Sequence, residues 1–111
     1  SDLTITLPPM QDGAYFKFNW KIEAADDAAD VVFSSHEATN GDFDGTIIEY
    51  TSHGTDGAVA VETAVTNSKS LRIGASDNTS PGSWVECVCD GSTWFWTGCV
   101  ISAAVGTVNF S

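Results

Sequence analysis

Residues Ser83–Thr97 read SWVECVCDGSTWFWT, and two strands with the turn that joins them are legible in that stretch. Cys87 and Cys89 stand two apart, so on a strand their side chains share one face. Asp90-Gly91-Ser92 breaks the apolar run, and Asp-Gly between two such runs is a strong hairpin signal. Beyond the turn, Trp94 and Trp96 share a face and Phe95 takes the other, so this strand carries large apolar groups on both sides.

The same two-residue period runs through most of the chain. Leu3, Ile5 and Leu7 alternate with Asp2, Thr4 and Thr6 until Pro8-Pro9 ends the run. Phe16, Phe18, Trp20 and Ile22 alternate with Tyr15, Lys17, Asn19 and Lys21. Shorter strands are expected at Val31–Phe33, Thr46–Thr51, around Val59 and Val61, around Leu71 and Ile73, and at Thr107–Phe110. Gly98 reads as a punctuation mark before a further strand, Cys99–Ser102, and Asn40–Gly45 and Asp77–Gly82 read as turn-rich loops. Glu23–Ala29 has helix-compatible residues but no apolar stripe, and reads as an exposed acidic loop with at most a helical turn. The fold expected is all-β: one small antiparallel sandwich or barrel of about eight to ten short strands spanning residues 1–111, with a short arm at about residues 1–9.

Length and charge narrow the functions. A chain of 111 residues makes one domain that buries roughly two-thirds of its unfolded surface, enough for a core without a cofactor or metal. Fifteen acidic against four basic residues give a net charge of -11. Nucleic acid is excluded as a partner because phosphate binding needs more cations than Lys17, Lys21, Lys69 and Arg72 supply, and an anionic membrane is disfavoured likewise. No apolar run approaches a membrane-spanning helix. The opening Ser1-Asp2 has no signal-like character and reads as a cytoplasmic chain whose initiator Met has been trimmed.

The candidates for chemistry each have a plainer reading. Cys87, Cys89 and Cys99 form an odd set; a zinc site completed by His36 or His53, one disulfide from Cys99, or buried free thiols all fit. Strand spacing favours the thiols acting as small apolar side chains. His36 and His53 lack a neighbouring nucleophile arrangement. Asp42-Phe43-Asp44-Gly45 looks like part of a calcium loop without its twelve-residue frame, and Asp26, Asp27 and Asp30 form a second acidic cluster that solvation explains equally well. No catalytic, cofactor-binding or metal-ligating residue is assigned, and the chain is not read as an enzyme. The four Trp are more than a small domain hides with ease, so Trp84, Trp94, Phe95 and Trp96 are expected at a contact between identical subunits. An exposed aromatic platform for sugar, flanked by Asn78, Asp90 and Ser92, is the alternative.

The order of short motifs adds a resemblance. Ile5-Thr6-Leu7-Pro8 is followed by Asp12-Gly13-Ala14-Tyr15-Phe16-Lys17-Phe18. Then come Asp42-Phe43-Asp44-Gly45, Gly82-Ser83-Trp84-Val85-Glu86-Cys87, Asp90-Gly91-Ser92-Thr93-Trp94 and Gly98. Spanning nearly the whole chain, this order resembles the trimeric β-structured modules of tailed-phage virions, found in fibres, spikes and capsid-decorating proteins. The acidic Glu23–Asp30 loop and the cysteines depart from that pattern. A free-standing module of this size looks more like a capsid decoration (cement) protein than a fibre. The resemblance implies a homotrimer, made in the host cytoplasm, that binds the major capsid protein on the outer surface of the virion. Ser1, Asp2, Leu3, Thr4 and Ile5 would form a strand-pairing arm. A tail-fibre receptor-binding head or carbohydrate-binding module is the alternative function.

Overall fold

The computed structural model describes residues 3–21, 30–37, 39–51, 59–74, 81–102 and 108–111. The expected acidic loop at 23–29, the turn at His53, most of the Asp77–Gly82 loop, and arm residues Ser1 and Asp2 lie outside the described residues. Nine strands occur among the described residues: β1 (Leu3–Thr6), β2 (Tyr15–Asn19), β3 (Val31–Ser34), β4 (Phe43–Thr51), β5 (Val59–Thr63), β6 (Ser70–Ile73), β7 (Trp84–Cys89), β8 (Trp94–Ser102) and β9 (Val108–Phe110). They form a four-stranded sheet, β1-β3-β6-β9, and a five-stranded sheet, β2-β7-β8-β4-β5. The all-β sandwich expected from the alternation is the fold the chain adopts.

The sheets are mixed, because two ladders are parallel: β1 on β3 and β4 on β8. The first follows from the route of the chain. After β1 it crosses to the other sheet for β2 and then returns beside β1, and two such crossings bring β3 back in the original direction. Side-chain alternation cannot reveal this, since parallel and antiparallel strands share the same period.

The hairpin at Ser83–Thr97 forms as read. β7 and β8 pair antiparallel with Cys87 opposite Trp96. Asp90 caps the turn, its Oδ1 accepting from the amides of Ser92 and Thr93 at 2.9 Å each, while Gly91 adopts φ 102°. These bonds to the charged form hold the Asp90 carboxyl below its usual value.

Two turn readings are corrected. Phe43-Asp44-Gly45 begins β4 instead of ending a loop, and Gly98 sits inside a continuous β8. Both glycines are there for close approach. A Cβ on Gly45 (φ 122°) would fall 2.1 Å from the Trp96 carbonyl oxygen, and one on Gly98 would fall 2.4 Å from that of Trp84. Glycine inside a strand then marks a tight crossing, and not a break.

The core lies between the sheets. An aromatic chain crosses it: Phe18 to Phe33 at 4.6 Å, Phe33 to Trp96 at 5.1 Å, and Trp96 to Phe43 at 5.2 Å between ring centroids. Leu71, Ile73, Val85, Val100 and Val108 fill the space around it. Truncating a ring such as Trp96 to alanine in this setting costs about 3–5 kcal/mol.

Candidate functional site

β8 separates its aromatic side chains cleanly. Trp94 and Trp96 point between the sheets and are 0% and 2% exposed, whereas Phe95 points outward and is 40% exposed. Of the four residues expected at a subunit contact, Trp94 and Trp96 are therefore corrected to core residues. A single chain already hides Trp94 and Trp96, because the two sheets of the sandwich enclose that face of the strand. Only Phe95 and Trp84 face away from the core, and Trp84 is half-buried with the Lys17 ammonium 4.8 Å above its ring.

The outward face of the five-stranded sheet, with no strand laid across it among the described residues, is rich in apolar groups. Register places Tyr15, Val88 and Phe95 in one cross-strand row. A second row runs Trp84, Cys99, Ile48 and Val61. Beyond it lie Ile101, Tyr50 and Val59. Between the apolar rows runs a polar one: Lys17, Glu86, Thr97, Thr46 and Thr63. Its two charges stand directly opposite one another, and the Tyr15 hydroxyl donates to the Glu86 carboxylate. That acceptor raises the Tyr15 phenol above its ordinary value. Exposed apolar rows of this kind make the face a candidate interaction surface.

A second feature lies where the sandwich is open. At one side β5 and β9 come together, whereas β1 and β2 are the edges of their sheets and flank an open groove of about 370 Å³. Leu3, Ile5, Val31 and Phe33 line it from one sheet, and Phe18 and Trp20 from the other. Leu3, Thr4 and Ile5 of the expected arm thus form an edge strand that, among the described residues, is bonded on one side only, to β3 of the same chain. In that ladder the amides of Leu3 and Leu7 are donated to Asp30 and Ser34, so the peptide groups of Thr4 and Thr6 turn to the open edge.

Among the described residues, those weighed for chemistry do not gather into one site. Cys87 and Cys89 face the core and Cys99 faces outward, so the sheet itself stands between Cys99 and the other two; all three are free. Burial pushes the Cys87 thiol up to about 12, which suits an inert apolar side chain. Asp42 is buried, with Oδ2 accepting from Ser35 Oγ at 2.8 Å and the Thr39 amide at 2.9 Å. Asp44 is exposed and accepts from the Gly45 amide. These two carboxylates serve local backbone geometry and point to different sides. Asp30 pairs with Arg72 at 2.9 Å, and the exposed His36 lies 3.5 Å from Glu37. Asp26, Asp27, His53 and Asn78 lie outside the described residues.

Sequence reading overlooked Ile48, Tyr50, Val61 and Val88 as surface groups. The signal was present at Ile47-Ile48, where an apolar residue stands on each face of one strand. It also overlooked Glu49, which shares the inward parity of Ile47 and is wholly buried. No protein-family model matches the chain, and no curated protein or solved structure matches it either.

Proposed function

We propose that the chain is a capsid decoration protein of a tailed phage, a homotrimer that binds the major capsid protein on the outside of the assembled shell and stabilises it. The observation that carries the reading is β1. It is an edge strand whose free side offers main-chain donors and acceptors beside an apolar groove. Free peptide groups beside an apolar groove suit an extended peptide, and an edge strand of the coat protein is such a partner. The ordered motifs from Ile5 to Gly98 support the same assignment. Stabilisation would follow by mass action, since a protein that binds the assembled lattice and not free subunits adds its binding free energy to the assembled state.

The test is co-sedimentation with purified capsids of the parent phage, with the chain's mass sought in its virions. Stoichiometric binding, and a capsid melting temperature raised by added protein, are expected. Loss of binding in Leu3→Asp with unchanged circular dichroism would place the contact at β1. Virions that lack the chain, with no binding to any capsid form, would end the proposal.

The half-exposed aromatic face gives the second reading some footing. Trp84, Tyr50 and Phe95 stand on an open sheet beside polar Lys17, Glu86 and Thr97, a composition that also suits a glycan. A shift in Trp84 fluorescence on adding oligosaccharides, absent in Trp84→Phe, would favour it.

A further inference from the structure

We infer that the outward face of the five-stranded sheet is the surface through which copies of this chain meet one another. The inference deepens the proposed self-assembling module by naming its contact surface.

The occupant is chosen by charge. The whole chain carries -11, so two copies repel wherever acidic surfaces approach. Among the described strand residues pointing outward on this face, only Lys17, Glu86 and Asp44 are charged, and the opposite charges of Lys17 and Glu86 stand across from each other in the β2–β7 ladder, leaving one net negative charge. Both are also held down in the plane, Lys17 on the Trp84 ring and Glu86 by the Tyr15 hydroxyl. A like copy can therefore approach here with little repulsion. A basic partner would gain little from a face with one net negative charge and would seek the more acidic surface elsewhere.

The apolar content supplies the attraction. Val61 is 60% exposed, and Ile48, Tyr50, Phe95 and Val88, around it and across the sheet, are 37% to 45% exposed. Burying such groups between copies releases water from apolar surface at about 25 cal/mol per Å². Two tryptophans already sit in the monomer's own core, so this contact is additional to the core and does not complete it. Subunits can fold first and associate afterwards.

An apolar contact between like-charged copies has a diagnostic salt dependence. Screening removes repulsion and leaves the apolar attraction, so association tightens as salt rises from about 0.05 to about 0.5 M. A contact made by ion pairs weakens over the same range.

The experiment is sedimentation equilibrium of the full chain at micromolar concentration across that salt range, for the wild type, Val61→Asp, Ile48→Asp and Leu3→Asp. Cys99, in the same row as Trp84 and Ile48, adds a second reporter through its rate of maleimide reaction. Expected are an oligomer that tightens several-fold with salt, and Cys99 labelling that slows as protein concentration rises. Both effects should be lost in Val61→Asp and Ile48→Asp and retained in Leu3→Asp. A wild type that stays monomeric, or association that weakens with salt, overturns the inference. So does an oligomer that both face variants leave intact. Capsid binding is scored on the same samples: a monomer that still binds capsids sinks this inference and the trimer but leaves the capsid role, and an oligomer that ignores capsids sinks the capsid role alone.

Discussion

The carboxylate of Glu49, wholly buried on β4, accepts the amide hydrogen of Val108 on β9 at 2.7 Å and so ties one sheet of the sandwich to the other. The bond anchors the short β9 across the layer. A hydrogen bond contributes about 0.5–1.5 kcal/mol net, and a buried amide left without its partner costs about 1–3 kcal/mol.

Replacing Glu49 with leucine should therefore lower stability by about 1–3 kcal/mol, while Glu49→Gln, which keeps a carbonyl acceptor, should lose less. Urea unfolding of the three proteins measures both. A leucine variant as stable as the wild type would mean that burying the carboxylate costs as much as its bonds return.

Gly45 and Gly98 should rank differently from the open glycines. Gly45→Ala combines a positive φ with a backbone collision, so a loss of about 2–4 kcal/mol is expected. Gly98→Ala meets the collision alone, for about 1–3 kcal/mol. Gly13→Ala has a positive φ (+85°) and nothing within 4 Å, so strain alone acts, at about 1 kcal/mol. Denaturant midpoints for the three variants give the order directly. Equal losses would show that the strands shift apart to admit the methyl groups.

The same glycines show what was legible before the structure. Periodicity located the strands, and Asp90-Gly91 located the hairpin, because both are properties of neighbouring residues. Gly98 was misread as a break because what explains it, the β7 backbone passing beside it, is a long-range fact. Parallel pairing of β4 with β8 was hidden for the same reason. For the surface, the apolar parity of Trp94 and Trp96 against Phe95 was visible, but not which face the second sheet covers. The count of tryptophans suggested that some must lie between chains. The sandwich instead takes in Trp94 and Trp96 and leaves Ile48, Val61 and Phe95 outside.

Tyr15 should titrate late. Its hydroxyl donates to the Glu86 carboxylate, a bond that deprotonation destroys, and the adjacent negative charge opposes the phenolate; both raise it above the ordinary 10.0. Ultraviolet titration at alkaline pH should show this tyrosine ionising at lower pH once Glu86→Gln removes the charge. An unchanged titration in that variant would show that the bond does not persist on the exposed face.

The cysteines should divide by face. Cys87 is buried and its thiol is pushed from 9.0 to about 12, chiefly by desolvation, whereas Cys99 faces outward and is raised less by the same cause. In the native protein near pH 8, a thiol reagent should modify Cys99, slowly, and leave Cys87 untouched until unfolding. The shift also has a stability consequence. The unfolded chain releases the Cys87 proton near 9.0 while the folded one holds it to about 12, so the unfolded state binds fewer protons in that window and folding weakens as pH rises through it. Cys87→Val lacks this slope. Its stability relative to the wild type should therefore improve steadily above about pH 9. Parallel pH profiles for the two proteins, or modification of Cys87 in the native state, would show that the inner face of β7 is open to solvent.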